Sequence, residues 1–228
     1  MRWATCGRFS LGLDLADLQD TFPEFVFPET LAPRYNIAPS QDVAVVPNNG
    51  SGKVEFFHWG LIPFWAKDPA IGNRMINARA DTLADKPAFR AAYRRRRCLI
   101  LADGFYEWQA TSGRKVKTPM YVRLASGAPF AFAGLWELWR PDDTPVLSCT
   151  IITTEPNALM APIHNRMPVI LPPEAYTRWL EPGDVPPVRL QDLLKPYPAE
   201  LLLAYPVSPL VNSPGNDGPA CIAPAMAS

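Results

Sequence analysis

Apolar side chains in this sequence gather into short runs rich in β-branched and aromatic residues, broken by turn residues. That pattern predicts strands over residues 43–46, 54–59, 98–102, 104–108, 119–124, 130–136 and 147–153. Helical spacing is rarer. Leu11, Leu15, Leu18 and Phe22 recur at it, with Ser10 placed to cap, and predict an amphipathic helix over 11–22. Asp85 is placed to cap a second helix that turns Phe89, Ala92 and Tyr93 inward, and Pro173 opens a third in Pro173-Glu-Ala-Tyr-Thr-Arg-Trp-Leu. A proline-rich loop runs to Pro39, and residues 216–228 are small and polar enough to fray. Helices and strands do not alternate regularly. The pattern therefore predicts an α+β fold, a single domain on a mostly antiparallel, barrel-like sheet with short flanking helices, rather than a doubly wound sheet.

With 228 residues, 48% hydrophobic and 19% charged, the chain can bury a sizeable core. Its 27 prolines and 13 glycines stay below the roughly 25–30% that marks low complexity. The formal net charge is zero, so any contact with nucleic acid must come from a local basic face. The densest charge is Arg94 to Arg97, at the end of the second predicted helix, where it reads either as a solvated helix end favoured by the macrodipole or as a phosphate contact. Cys6, Cys98, Cys149 and Cys221 are widely spaced, and only His58 and His164 could join them as soft ligands, so neither a metal nor a cofactor is expected. Cys98 and Cys149 sit in apolar runs and read as buried thiols. No run approaches the roughly 18 apolar residues of a membrane helix and the start lacks the apolar stretch of a signal peptide, so the expected compartment is the cytoplasm.

Several segments combine polar residues with turn or strand signals in a way that packing alone does not require. They are Cys6-Gly-Arg-Phe, Arg34-Tyr-Asn-Ile-Ala-Pro-Ser, Trp59-Gly-Leu-Ile-Pro-Phe-Trp, Ile76-Asn-Ala-Arg-Ala-Asp, Ala102-Asp-Gly-Phe-Tyr-Glu-Trp and His164-Asn-Arg-Met-Pro. Strand alternation puts Phe105 and Glu107 on one face, so Glu107 is expected among apolar neighbours, where burial raises a carboxyl pKa toward neutrality; the alternative is a rim or structurally paired glutamate. His164 follows a predicted helix starting near Glu155 and suits acid–base work or a structural contact, whereas His58 lies in a strand run and reads as structural. Asn77 and Arg79, two apart in an extended segment, face one way and offer an amide and a guanidinium to one ligand, or else make turn and surface contacts. Trp65, among prolines in a loop, is the tryptophan best placed to stack on an exposed base.

In order and number, these segments resemble the SOS-response-associated peptidase (SRAP) family of abasic-site processing proteins, from Cys6 to about Pro224. The resemblance implies a β-rich domain over 6–224, with a tail at 225–228, and a basic cleft for single-stranded DNA that becomes covalently linked at an abasic sugar. By motif position it implies Cys6 as the linking residue, Asn77 orienting it, and Glu107 and His164 handling protons. Arg79 and Arg166, with Arg8, would hold phosphates, Trp65 would stack near the lesion, and the Asn36-Ile-Ala-Pro39 loop would line the cleft. The expected partner is single-stranded DNA carrying an abasic site, and lyase and autoproteolytic activities are implied alongside.

One feature departs from the family pattern. There, cysteine directly follows the initiator methionine; here Met1-Arg-Trp-Ala-Thr precedes Cys6. An acylated amine cannot form an imine, so residues 1–5 are expected to be a leader removed at Thr5–Cys6. Two other functions stay open on the sequence: an amino-terminal-nucleophile cysteine amidohydrolase or peptidase, and a noncatalytic single-stranded-DNA-binding module built on Arg79, Arg166 and Trp65.

Overall fold

The computed structural model describes residues 6–110, 113, 116–141 and 144–225; the expected leader, residues 1–5, lies outside them. In chain order the elements are β1 (Phe9–Leu11), α1 (Leu15–Thr21), β2 (Arg34–Ile37), β3 (Asp42–Pro47), β4 (Glu55–Trp59), β5 (Asn77–Arg79), α2 (Arg90–Arg95), β6 (Arg97–Ala102), β7 (Gly104–Gln109), β8 (Thr118–Leu124), β9 (Phe130–Trp139), β10 (Val146–Thr154), β11 (Met167–Pro168), β12 (Ile170–Leu171), α3 (Tyr176–Trp179) and β13 (Leu202–Pro206). Short 3-10 turns fill several of the connections. No helix among the described residues is long and apolar enough to cross a membrane.

Strands β10, β4, β3, β6 and β9 pair in that order, and β9 pairs back onto β10, so five strands close into a barrel. Among the described strands, the β10–β4 and β10–β5 pairings are parallel and the rest antiparallel. A second, fully antiparallel sheet runs β13-β8-β7-β1-β2. It packs on the barrel through aromatic edges: Phe9 meets Trp59 at 5.0 Å and Phe132 at 5.8 Å, and Phe105 meets Phe132 at 6.1 Å. Phe105 and its neighbour Tyr106 are both buried, because the outer face of this sheet is covered by a second cluster of Tyr106, Tyr121, Val207, Val211 and Cys221.

The α+β, barrel-like architecture is the one the apolar pattern predicts, and every predicted strand is present to within a few residues at its ends. The helices are shorter than their periodicity suggested. Helix α1 begins only after Asp14, whose carboxylate accepts from the Asp17 amide at 3.0 Å. Ser10 is no cap; it lies in β1, with its hydroxyl 2.6 Å from Asp103 Oδ1, because the slot between β2 and β7 takes Phe9–Leu11 as a strand. Asp85 caps no helix, since α2 starts at Arg90 behind Phe89. The predicted helix near Glu155 is a series of turns over 158–163, with the Asn157 side chain accepting from the Met160 amide at 2.9 Å. The stretch 216–225 is tied down rather than frayed: Asp217 accepts from the Tyr35 and Asn36 amides at 2.5 and 2.8 Å, Cys221 is buried, and the Ala225 amide donates to Pro206 at 2.8 Å.

The arginine run is not a free helix end: each of its four arginines has a partner. Arg97 is fully buried and donates to the carbonyls of Trp179, Tyr93, Arg94 and Glu181. Arg96 pairs with the buried Glu137, and Arg94 and Arg95 share Asp184.

Gly104 sits where a Cβ would fall 2.1 Å from Tyr121 Oη, the end of a rigid buried ring hydrogen-bonded to Ser10. Gly104→Ala is expected to destabilise the fold by about 1–3 kcal/mol, measured by urea denaturation; an unchanged midpoint would contradict this packing.

Candidate functional site

Cys6 and Glu107 meet because β1 pairs with β7. Phe9 lies opposite Phe105, and the Tyr106 amide donates to the Arg8 carbonyl at 2.9 Å, which carries the pairing one step toward Cys6. The Cys6 backbone N–H then donates to Glu107 Oε1 at 2.5 Å. Both residues are buried, Glu107 at 3% exposure as strand alternation predicted. Burial pushes the Glu107 carboxyl up to about 8, against the smaller opposing pull of the Cys6 amide and the charge of Lys117. The Cys6 thiol is pushed well above its ordinary value, first by burial and then by the Glu107 charge. At neutral pH this pair therefore holds a neutral thiol beside a carboxyl that mostly keeps its proton. Cys6 also has φ +48°, a left-handed conformation that costs a non-glycine residue about 1–2 kcal/mol.

A second group assembles along β10. Strands β4 and β5 occupy consecutive stretches of one edge of β10, with Trp59 opposite Cys149 and Asn77 opposite Ile151. Residues 60–76 form an excursion between these two strands, its ends joined where the Leu61 amide donates to the Met75 carbonyl at 3.1 Å. Close approach secures its base: Gly60, at φ +140°, and Gly72 leave no room for a Cβ on either, each ideal Cβ falling 2.7 Å from the other's carbonyl oxygen. The Trp59 indole N–H donates to the Ile76 carbonyl at 2.9 Å, while its ring meets Phe9. One buried tryptophan thus braces the strand that carries Cys6 against the strand that carries Asn77.

Two residues on, Arg79 is exposed and lies opposite Thr153. Arg166 donates to the Thr153 carbonyl at 2.6 Å and to its hydroxyl at 3.3 Å. Asp81 sits between the two guanidiniums, 2.7 Å from Arg79 Nη2 and 3.4 Å from Arg166 Nη2. Its carboxyl is held below the ordinary range chiefly by the hydrogen bond from Arg79. His164 is half-buried, and burial lowers its pKa, so the imidazole is neutral at pH 7. The Arg166 amide donates to His164 Nδ1 at 3.3 Å, which leaves the neutral ring's proton on Nε2. Gln109 fastens this turn to β7 by donating to the Pro162 carbonyl at 3.1 Å.

Lys117, just before β8, acts electrostatically on both Glu107 and His164 and so stands near each. The sequence reading missed it, as it missed Asp81 as a partner for the arginines. Asp81 was findable as the carboxylate two residues after Arg79; Lys117 carried no signal.

The remaining expected residues divide. Trp65 is 48% exposed on the 60–76 excursion, beside Phe64 at 60%. Pro39 is half-buried next to Ser40, whose amide donates to the Trp59 carbonyl and whose hydroxyl reaches Asn73 on the excursion. The Arg8 and Asn36 side chains are buried. Arg8 is 7% exposed, donates to Asn36 at 2.7 Å and to the Val211 carbonyl at 2.8 Å, and lies 5.8 Å over the Trp108 ring. The Asn36 amide group donates to the carbonyls of Val211, Ser213 and Asn216. Both fasten the C-terminal segment under the Cys6 strand. Among the described residues, no cluster of His, Cys, Asp or Glu could hold a metal ion.

A closed barrel flanked by an antiparallel sheet, with a buried cysteine on a raised carboxyl and two arginines nearby, defines a class of protein rather than a single activity. The chain matches the model of the SOS response associated peptidase (SRAP) family over residues 5–214 and belongs to that family. It is 49% identical over 221 residues to the abasic site processing protein YoqW of Bacillus subtilis, covering 95% of this chain and 98% of that one. It is 31% identical to the abasic site processing protein HMCES of Rattus norvegicus, covering 89% of this chain and 68% of that one. Among solved structures, a Bacteroides thetaiotaomicron protein matches with a TM-score of 0.86 at 27% identity, over 97% of this chain and 100% of that one.

Glu107 provides a test of the site's electrostatics. Its carboxyl titrates near 4.5 when unfolded and at about 8 when folded. A raised folded value gives stability that is complete below the unfolded value and is lost as pH rises through the folded one. Across this window the wild type should therefore lose stability relative to Glu107→Gln by about 1.4 kcal/mol per pH unit. Urea unfolding of both proteins at several pH values measures it; parallel pH profiles would show that Glu107 titrates normally.

Proposed function

We propose that this protein captures the ring-opened aldehyde of an abasic site in single-stranded DNA as a covalent adduct on Cys6, after residues 1–5 are released. The observation that carries the reading is the 2.5 Å approach of Glu107 Oε1 to the Cys6 nitrogen. Membership of a family whose relatives are named for abasic-site processing supports it.

The leader is released by hydrolysis of the Thr5–Cys6 bond. The Cys6 thiol adds to the Thr5 carbonyl, Glu107 gives its proton to the departing Cys6 nitrogen and takes up the one the thiol loses, and water then cleaves the thioester, returning the thiol and leaving residue 5 as a carboxylic acid that ionises to a carboxylate. What remains is an α-amine within hydrogen-bond reach of Glu107. Its ordinary pKa of about 7.7–8.0 lies close to that of the carboxyl, at about 8. Proton exchange between them is nearly thermoneutral, the condition under which general acid–base catalysis works best.

Glu107 and the neutral His164 then assist opening of the abasic hemiacetal. The amine condenses with the aldehyde, losing one water to give an imine. The thiol adds to the imine carbon, its proton passing to nitrogen, and a five-membered thiazolidine closes with the advantage of an intramolecular reaction. Closure competes with β-elimination of the 3′ phosphate from the imine, the lyase branch, and suppresses it. Asn77 orients the cysteine, Arg79 and Arg166 hold phosphates, and Trp65 stacks beside the lesion. To bind phosphate these arginines exchange Asp81 for the DNA, and they do so without reading its sequence.

Incubation with an oligonucleotide carrying one abasic site, followed by denaturing electrophoresis, should give a shifted band that Cys6→Ala abolishes. Salt-sensitive binding with no denaturant-resistant band would instead mark a binding module, and amide turnover without DNA binding a hydrolase. Glu107→Gln should slow linkage by about 10²-fold; a wild-type rate would remove Glu107 from proton transfer. Arg79→Ala should weaken binding equally across sequences and lower the salt slope by about 0.7; loss confined to one sequence would contradict a phosphate role.

A further inference from the structure

The 60–76 excursion reaches across to strand β9. Its tip is buttressed on the barrel at two points. The Phe64 amide donates toward the Glu137 carboxylate, and the Trp139 indole N–H donates to the Ala66 carbonyl at 2.7 Å. Glu137 is itself buried and is held by Arg96, whose Nε donates to it at 2.7 Å. So held, Phe64 forms one wall of a recess of about 470 Å³, with Trp136, Arg95 and Arg96 among the others. A second recess, of about 460 Å³, adjoins it across Ala91 and Arg95 and is lined by Arg90 and Arg94.

The charge around these recesses is unbalanced. Four guanidiniums, those of Arg90, Arg94, Arg95 and Arg96, face two carboxylates: Glu137 pairs with Arg96, and Asp184 is shared by Arg94 and Arg95. Among the described residues, no carboxylate forms an ion pair with Arg90. The ion pairs of Arg94 and Arg95 are solvent-exposed and therefore weak, so a phosphate can replace Asp184 at small cost. An exposed aromatic face beside uncompensated arginines is the combination that binds single strands without sequence preference. Phe64 and Trp65 are consecutive, with Cα atoms about 3.8 Å apart, so the recess continues directly from the residue assigned to the lesion.

We propose that these joined recesses are a second nucleic-acid subsite, taking the nucleotide that flanks the lesion, its base against Phe64 and its phosphates on Arg95 and Arg90. The proposal rests on the reading of Trp65 as the residue that stacks beside the lesion. It gives the strand a path from the Arg79–Arg166 pair, over the aromatic tip, onto helix α2.

The test uses undamaged single-stranded oligonucleotides, so that it does not depend on covalent chemistry at Cys6. Binding of a labelled oligomer of about 15 nucleotides is followed by fluorescence anisotropy for the wild type and for the Arg90→Glu/Arg95→Glu double variant. Both residues are exposed, and a thermal melt confirms that the variant folds. The variant should bind this oligomer about tenfold more weakly, with its salt slope reduced by about 1.4 for two lost phosphate contacts. Equal affinity and slope would overturn the proposal, as would no wild-type binding of the oligomer. If the expected pattern appears but no linkage to abasic DNA is found, the subsite stands and the covalent reading fails.

Discussion

The contact between the Cys6 nitrogen and the Glu107 carboxyl, buried between the antiparallel sheet and the barrel, is what the rest of the site is arranged around. A carboxyl enclosed in this way can sit beside a backbone nitrogen only if the strands that carry the two are fixed in register. The structure fixes them from both sides. Strand β1 is held between β2 and β7, and the Arg8 guanidinium, two residues past Cys6, is anchored to Asn36 and Val211. Trp108, next to Glu107, donates to Asn212 of the same C-terminal segment at 2.8 Å. Residues 211–212 thus hold the neighbours of both partners of the contact.

Strand β10 plays the corresponding part for the ligand side. It pairs with β9 along one edge and with β4 and then β5 along the other, so the aromatic excursion, Asn77, Arg79 and the Thr153 anchor of Arg166 share one rigid support. Trp59 connects this support to β1 through Phe9. Groups drawn from residues 6, 77, 107 and 164 therefore belong to one framework, as a site needs if its reacting groups are to stay in productive geometry.

Much of this was legible in the sequence, and the limits are physical. The barrel strands are continuous apolar runs such as Cys98–Ala102, buried on every residue, and such runs announce themselves. Strands β1 and β2 contain Ser10, Arg34 and Asn36 and exist only through partners as distant as Phe105, so no local pattern reveals them. The leucine spacing at 11–22 favoured a helix, and sheet pairing overrode it at its start. Glu107 was readable because alternation tied it to Phe105. Arg8 and Asn36 were assigned to DNA from their motifs; that their side chains also bond to carbonyls at residues 211–216 is a relation that spacing does not encode. The same holds for Glu137, whose link to Arg96 and Phe64 crosses three elements.

The account turns on Cys6 presenting a free amine to Glu107. Intact-mass and amino-terminal analysis of the protein recovered from its DNA-linked band measures this directly. The account predicts that linked chains begin at Cys6, without Met1-Arg-Trp-Ala-Thr, and that chains retaining those residues stay unlinked. Linked protein that still carries residues 1–5 would contradict it.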